Sequence, residues 1–386
     1  MAKWVTTWGN AEAPAYSGEQ TYVKDITLRY NVPVMVSGSK IKLFFSNKYG
    51  TEKVVLDSVT VGKNTCANVD GTCRDDVTAN IKKVTFNKKD KCKMKAGQTC
   101  YSDEIDYPVK KGDFLSVSFY IKGITQLTTA TALMGIYSYG YVMEGKGTDL
   151  ETFPLYVSME SSKTYALYGV DVLADEDDAS TIICYGDSIS AIEWPDHFAR
   201  LILKSDKNVA VCRKAISGSR VLRKYNHKAN IHYGDAGIVR IDENLSQVQG
   251  AKAVVILHGI NDIIHPDGSV YRPLESLPSS EEIIHAYEDK YVASARKHGL
   301  KVYFGTILPF KYYKSHNDER EAIRQGINDW IRTTDKIDGY IDFDKIVSDP
   351  SDPLAILPSF TNDHLHPTSN GAFEMAKAVF AKFFED

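Results

Sequence analysis

The chain has 386 residues, a formal net charge of −4, and apolar and charged fractions of 43% and 25%. These are ordinary values for a globular protein with room for two cores. The near-neutral, slightly acidic balance argues against a nucleic-acid or anionic-membrane partner. No apolar run approaches the ~20 residues of a bilayer span, and residues 1–8 lack a signal-peptide core. A cytoplasmic protein is expected, with a secreted one stripped of its signal as the alternative.

The first half reads with period two. Residues 40–44, 54–56, 59–61 and 115–121 have strand character, separated by Gly and Asn turns, and no amphipathic helix precedes about residue 190. This pattern predicts an antiparallel β-sandwich over residues 1–175 with one solvated face per sheet, its first strand able to dock on the second half. Cys66, Cys73, Cys92 and Cys100 fall here, while Cys184 and Cys212 lie in apolar runs further on. The chain has no Cys-x-x-Cys pair, so free thiols and no metal are expected, although two disulfides could form in an oxidising compartment. The acidic stretch 175–178 reads as a linker.

From Thr181 the pattern changes to strand–helix alternation over residues 180–386. Apolar runs at 182–185, 209–212, 253–257, 302–307 and 340–343 suit buried parallel strands. Between them lie helical stripes: Ile238, Ile241, Leu245 and Val248; Ile284, Tyr287 and Tyr291; Ile323, Ile327, Trp330 and Ile331. A last helix aligns Phe373, Ala376, Val379, Phe380 and Phe383, with Pro367 near its start. The result is an α/β domain with a doubly wound parallel sheet, whose ligands bind beyond the carboxyl ends of the strands.

Four features fall at those ends: Gly186-Asp187-Ser188, Ser217-Gly218-Ser219, Gly259-Ile260-Asn261-Asp262 and Asp363-His364-Leu365-His366. Each alone has an ordinary account as a turn, a loop amide or a helix-start histidine. Together they have the composition of an acyl-transfer site. Ser188 follows a glycine turn at the mouth of a helix, where its hydroxyl can attack and its N–H can meet an oxyanion. His366 is the candidate base, and Asp363, three residues earlier, can hold the other imidazole proton. The N–H groups of Ser188 and Gly218 and the amide of Asn261 are candidate oxyanion donors. His364 is the rival base, but it lies too near Asp363 in sequence to share that contact. Trp194, Tyr225 and Tyr271 can stack on a sugar ring and His258 can line the cleft, but plain packing is the first account of each, and His258 reads first as a strand-end core histidine. Asp187 and Asp262 read as acceptors of local backbone N–H groups. The histidines show no spacing that demands a metal, and the chemistry requires no cofactor.

These blocks resemble the SGNH, or GDSL-type, hydrolase superfamily, whose Ser, Gly, Asn and His fall on Ser188, Gly218, Asn261 and His366, with Asp363 completing the Asp-x-x-His element. Residues 4–9, 102–103, 306–310, 324–328 and 342–344 are similar to a subgroup with an N-terminal β-rich domain. The resemblance implies a flavodoxin-like catalytic domain and esterase activity, often carbohydrate deacetylation. Departures occur in the first block, where Ile189-Ser190-Ala191-Ile192-Glu193-Trp194 replaces the usual Thr and glycine, so that Glu193 and Trp194 could narrow the cleft. In the third block Gly259-Ile260 stands where Gly-Thr is common.

The expected function is therefore hydrolysis of short-chain, chiefly acetyl, esters on a carbohydrate, through an acyl-enzyme. The alternatives are a lipid or lysophospholipid esterase and a non-catalytic carbohydrate-binding protein. An acylated carbohydrate is the expected partner, with neither nucleic acid nor membrane; oligomeric state is not legible.

Overall fold

Alternation of apolar residues builds two antiparallel sheets in the first half of this computed structural model, which describes residues 2–16, 22–266 and 275–385. One sheet runs Lys3–Gly9, Leu167–Ala174, Gly38–Ser46 and Ile105–Val109, with Thr99–Tyr101 also on Gly38–Ser46. The other runs Ser158–Ser161, Gly140–Glu144, Ile26–Pro33, Phe114–Ile121, Ser58–Asn64 and Thr78–Lys83. Phe45 of the first sheet meets Phe119 of the second edge-on at 5.8 Å.

The expectation of a solvated face fails at the centre of the larger sheet. All eight residues of Phe114–Ile121 are buried, Ser116 and Ser118 included. At Ser118 the cause is Arg29 on the neighbouring strand. Its Nε donates to Ser118 Oγ at 2.7 Å, and its other nitrogens reach Asp76 Oδ1 at 2.7 Å and the Leu150 carbonyl at 2.6 Å. A buried cation with these partners lets a loop cover polar side chains that alternation alone would leave in water. The expectation of free thiols also fails in part: Cys66 and Cys73 form a disulfide, with Cα atoms 5.8 Å apart. Cys92, Cys100, Cys184 and Cys212 form no disulfide.

The described residues gather into two units, 1–181 with 202–212, and 182–201 with 213–386. A five-stranded parallel sheet is ordered Val209–Ala215, Ser180–Gly186, Ala251–Leu257, Lys301–Gly305, Gly339–Ile341. Numbered along the chain that is 2-1-3-4-5, the flavodoxin-like order, which leaves a crevice where strand order reverses. Every residue of Ser180–Gly186 is buried, as its continuous apolar run requires. The helical stripes fall on Gly237–Ser246, Asp318–Thr333, Ser369–Phe384 and a segment from Ser280–Ala286 through a π-helical turn, Tyr287–Val292, to Ala293–Lys297. Ser279 opens that segment with a reciprocal capping box to Glu282. Buried Arg324 pairs with Glu321 and Asp344, both at 2.6 Å, tying the helix Asp318–Thr333 to the segment after the last strand. Among the described residues no helix is long and apolar enough to cross a membrane.

Candidate active site

The strand Ser180–Gly186 ends against the Leu257 carbonyl, which leaves no room for a Cβ at Gly186. Asp187 then caps a short helix, Ser188–Ala191, accepting the N–H of Ile189 at 3.1 Å. Four residues sum to little helix dipole, so any pull on an anion comes from the first-turn N–H groups, which have no intrahelical acceptor.

Ser188 Oγ lies 2.8 Å from His366 Nε2, across 178 residues of chain. His366 Nδ1 lies 2.7 Å from Asp363 Oδ2. Asp363 Oδ1 accepts the N–H groups of His366 at 2.8 Å and Leu365 at 3.0 Å, so a turn of three residues locks carboxylate and imidazole together. Partial burial works to raise the Asp363 carboxyl, but the hydrogen bonds from the His366 ring and from these N–H groups outweigh it and hold it below its ordinary value. Such a carboxylate keeps the proton on Nδ1 and leaves Nε2 free to accept from Ser188. His364 points elsewhere, its ring 5.7 Å from that of Tyr312.

Gly218 adopts φ 78°, and a Cβ there would run into the ring of Tyr233. Its carbonyl accepts the Tyr225 hydroxyl at 2.6 Å. Asn261 lies in the helix Ile260–Ile264, and its Nδ2 donates to the Ser219 carbonyl at 3.1 Å, leaving a second amide hydrogen for a ligand. Thus all four blocks fall in the same unit, the first three at or just after strands of the parallel sheet and the fourth just before the helix Ser369–Phe384.

Under these turns lies a polar network that the sequence did not disclose. Arg240 donates to the Gly186 carbonyl at 2.7 Å and the Lys214 carbonyl at 2.9 Å, and reaches Ser219 Oγ at 3.2 Å. His258 Nε2 lies 3.0 Å from Ser219 Oγ, and its Nδ1 lies 2.8 Å from Tyr291 Oη. The widened π-helical turn brings both Tyr287 and Tyr291 to this histidine. Burial and the charge of Arg240 keep His258 neutral, far below the ordinary imidazole value. Asp262 accepts the N–H groups of Val221 at 2.7 Å and Leu222 at 3.0 Å, and burial pushes it up to about 6.

The structure thus joins Ser188, His366 and Asp363 by hydrogen bonds and ties Asn261 to the Ser219 carbonyl next to Gly218, and it places three of the four proposed substrate contacts differently. Trp194 is fully buried against Phe343 and does not narrow a cleft, while Glu193 turns to His197 at 3.4 Å. His258 is a buried network member, and Tyr225 is buried beneath the Arg220 guanidinium, bonded to Gly218 and His265. Each neighbours a block in sequence, but packing of adjacent segments encloses it, so plain packing and not ligand contact is its role. Tyr271 lies outside the described residues.

Residues 184–372 match the model of the GDSL-like lipase/acylhydrolase family. This segment is a GDSL-like lipase/acylhydrolase domain. No curated protein matches the chain. Among solved structures, a GDSL-like lipase from Bacteroides thetaiotaomicron is similar at 20% identity and a TM-score of 0.38, over 53% of this chain and 88% of that one. A putative acylhydrolase from Bacteroides fragilis is similar at 21% identity and a TM-score of 0.39, over 54% and 89%. An acetyl xylan esterase from Geobacillus stearothermophilus is similar at 15% identity and a TM-score of 0.38, over 54% and 97%. The family assignment rests on the GDSL-like model match, which begins four residues before Ser188 and ends six after His366.

Proposed function

We propose that this GDSL-type hydrolase is a serine esterase that removes short acyl groups, acetyl above all, from carbohydrates. The observation that carries the reading is the 2.8 Å contact from Ser188 Oγ to His366 Nε2, backed by Asp363 at 2.7 Å on the other ring nitrogen. In this mechanism Ser188 Oγ attacks the ester carbonyl carbon as its proton passes to Nε2. The tetrahedral oxyanion takes hydrogen bonds from the N–H groups of Ser188 and Gly218 and from the Asn261 amide. Collapse breaks the bond to the sugar oxygen, which leaves with the proton from Nε2. Water then attacks the acyl-Ser188 ester, His366 taking its proton and returning it to Ser188 as the acid departs.

A sugar ester is favoured by how open the centre is: the side chains of His366 and Asp363 are 32% and 49% exposed. An acyl group carried on a bulky polar alcohol can approach such a surface without threading a tunnel. We read residues 1–175 as a β-sandwich accessory domain and residues 180–386 as the catalytic domain. The Cys66–Cys73 bond supports an oxidising compartment, hence the secreted alternative.

The test is hydrolysis of p-nitrophenyl esters of increasing acyl length, with Ser188→Ala alongside. Turnover greatest on acetate and abolished in the variant is the expected result. A preference for long chains would transfer the reading to lipid esters, and full activity in Ser188→Ala would overturn the nucleophile.

A further inference from the structure

Two aromatic residues beside the Asp363–His366 turn are held in a backbone conformation that side chains of their size avoid. Tyr312 has φ 74° and His364 has φ 62°. Outside glycine this region is uncommon; asparagine, aspartate and histidine enter it more readily than others, so the strain is greatest at Tyr312, at about 1 kcal/mol or more. Both side chains are nevertheless exposed, Tyr312 to 63%, so burial does not repay the strain. The two rings contact each other edge to face at 5.7 Å.

The pair is also anchored. Tyr312 Oη donates to Asp352 Oδ2 at 2.9 Å, and Lys311 Nζ reaches the same oxygen at 2.7 Å, which pins the hydroxyl end of the ring. The neighbouring Tyr313 phenol is pushed up by burial and then by the charge of Asp363, so this turn lies within electrostatic reach of the carboxylate that holds His366. His364 sits two residues before His366 on the other side of the contact. A strained, pinned and solvent-facing aromatic pair next to the reacting groups has the form of a ligand clamp, in which strain serves pre-organisation.

We propose that Tyr312 and His364 form a stacking platform for the sugar ring that carries the scissile acyl group. The inference rests on the carbohydrate-esterase reading and adds to it the subsite that selects the alcohol side. A pyranose presents a face of C–H bonds to an aromatic ring while its hydroxyls reach flanking polar groups, here Lys311 and Asp352. This pair does what Trp194 and Tyr225, enclosed in the core, do not.

The experiment compares kcat/KM on O-acetylated xylo- and manno-oligosaccharides with kcat/KM on p-nitrophenyl acetate, which has no sugar to stack. Tyr312→Asn removes the ring in a residue that tolerates the left-handed backbone, and Tyr312→Trp retains an aromatic face. The ratio of oligosaccharide to aryl-ester efficiency is expected to fall about tenfold in Tyr312→Asn, chiefly through KM, and to return to within about threefold of the native value in Tyr312→Trp. A ratio that moves less than about twofold in Tyr312→Asn, including the case where both efficiencies fall together, would overturn the platform and leave the esterase reading standing. Failure of the native protein to cleave either oligosaccharide while it cleaves the aryl ester would overturn the carbohydrate reading itself, and the platform's ligand with it.

Discussion

The residue before Ser188 yields the sharpest quantitative test. Asp187 is 1% exposed, and burial pushes its carboxyl up to about 7; the N–H groups of Ile189 and Gly259 pull it down, the charge of Asp262 adds to the rise, and Arg240 opposes it. In the unfolded chain an aspartate titrates near about 3.9. Between those values the folded protein retains a proton that the unfolded chain has shed. Stability is therefore fully present below the unfolded value, declines as pH rises through the interval, and stays reduced above the folded value. A rise of about three units at ~1.4 kcal/mol each makes the loss about 4 kcal/mol. Asp187→Asn carries no charge at any pH, and its amide oxygen can still accept the Ile189 N–H that the carboxylate holds at 3.1 Å. Urea unfolding of both proteins across about pH 4 to pH 8 should show the variant gaining about 4 kcal/mol on the native protein. Asp262, pushed up to about 6, is common to both and largely cancels in the difference. A difference that stays constant within about 1 kcal/mol would refute the account of Asp187 as a buried, proton-retaining cap.

Three further outcomes follow from the site. Asn261→Ala should lower kcat about 100- to 1000-fold with little change in KM, since the amide meets charge only in the tetrahedral intermediate; a change confined to KM would make it a substrate-positioning group. Asp363→Asn should lower kcat by up to about 10⁴-fold by releasing the imidazole tautomer, with an unchanged far-UV circular dichroism spectrum as the control. Gly218→Ala puts a Cβ against the Tyr233 ring at φ 78°, so it should lower both Tm and kcat. Adding Tyr233→Ala should recover part of the Tm loss; if the single variant retains full turnover, the Gly218 N–H is not an oxyanion donor.

Much of this molecule is legible in its sequence, because much of it is set by short-range rules. The continuous apolar run before Gly186 forms a buried strand, and the stripes at 238–245 and 323–331 form helices facing a core, as their periodicity predicts. Asp363 and His366 are three residues apart, so their bond closes within one turn and needs no distant partner. The second sheet face, the disulfide and the rim of the site are different in kind. Ser116 and Ser118 alternate as solvated residues do, yet both are buried, Ser118 under an Arg29 that reaches on to Asp76 and the Leu150 carbonyl. Cys66 and Cys73 carry no spacing that distinguishes bonded from free, because that depends on the path of the loop between them. Trp194, Tyr225 and His258 neighbour their blocks in the chain yet face inward, while Tyr312 and His364, 52 positions apart, meet at the surface. Periodicity and turn chemistry act over a few residues and can be read along a line. Exposure depends on which remote segments cover a side chain, and that is decided only when the chain is packed.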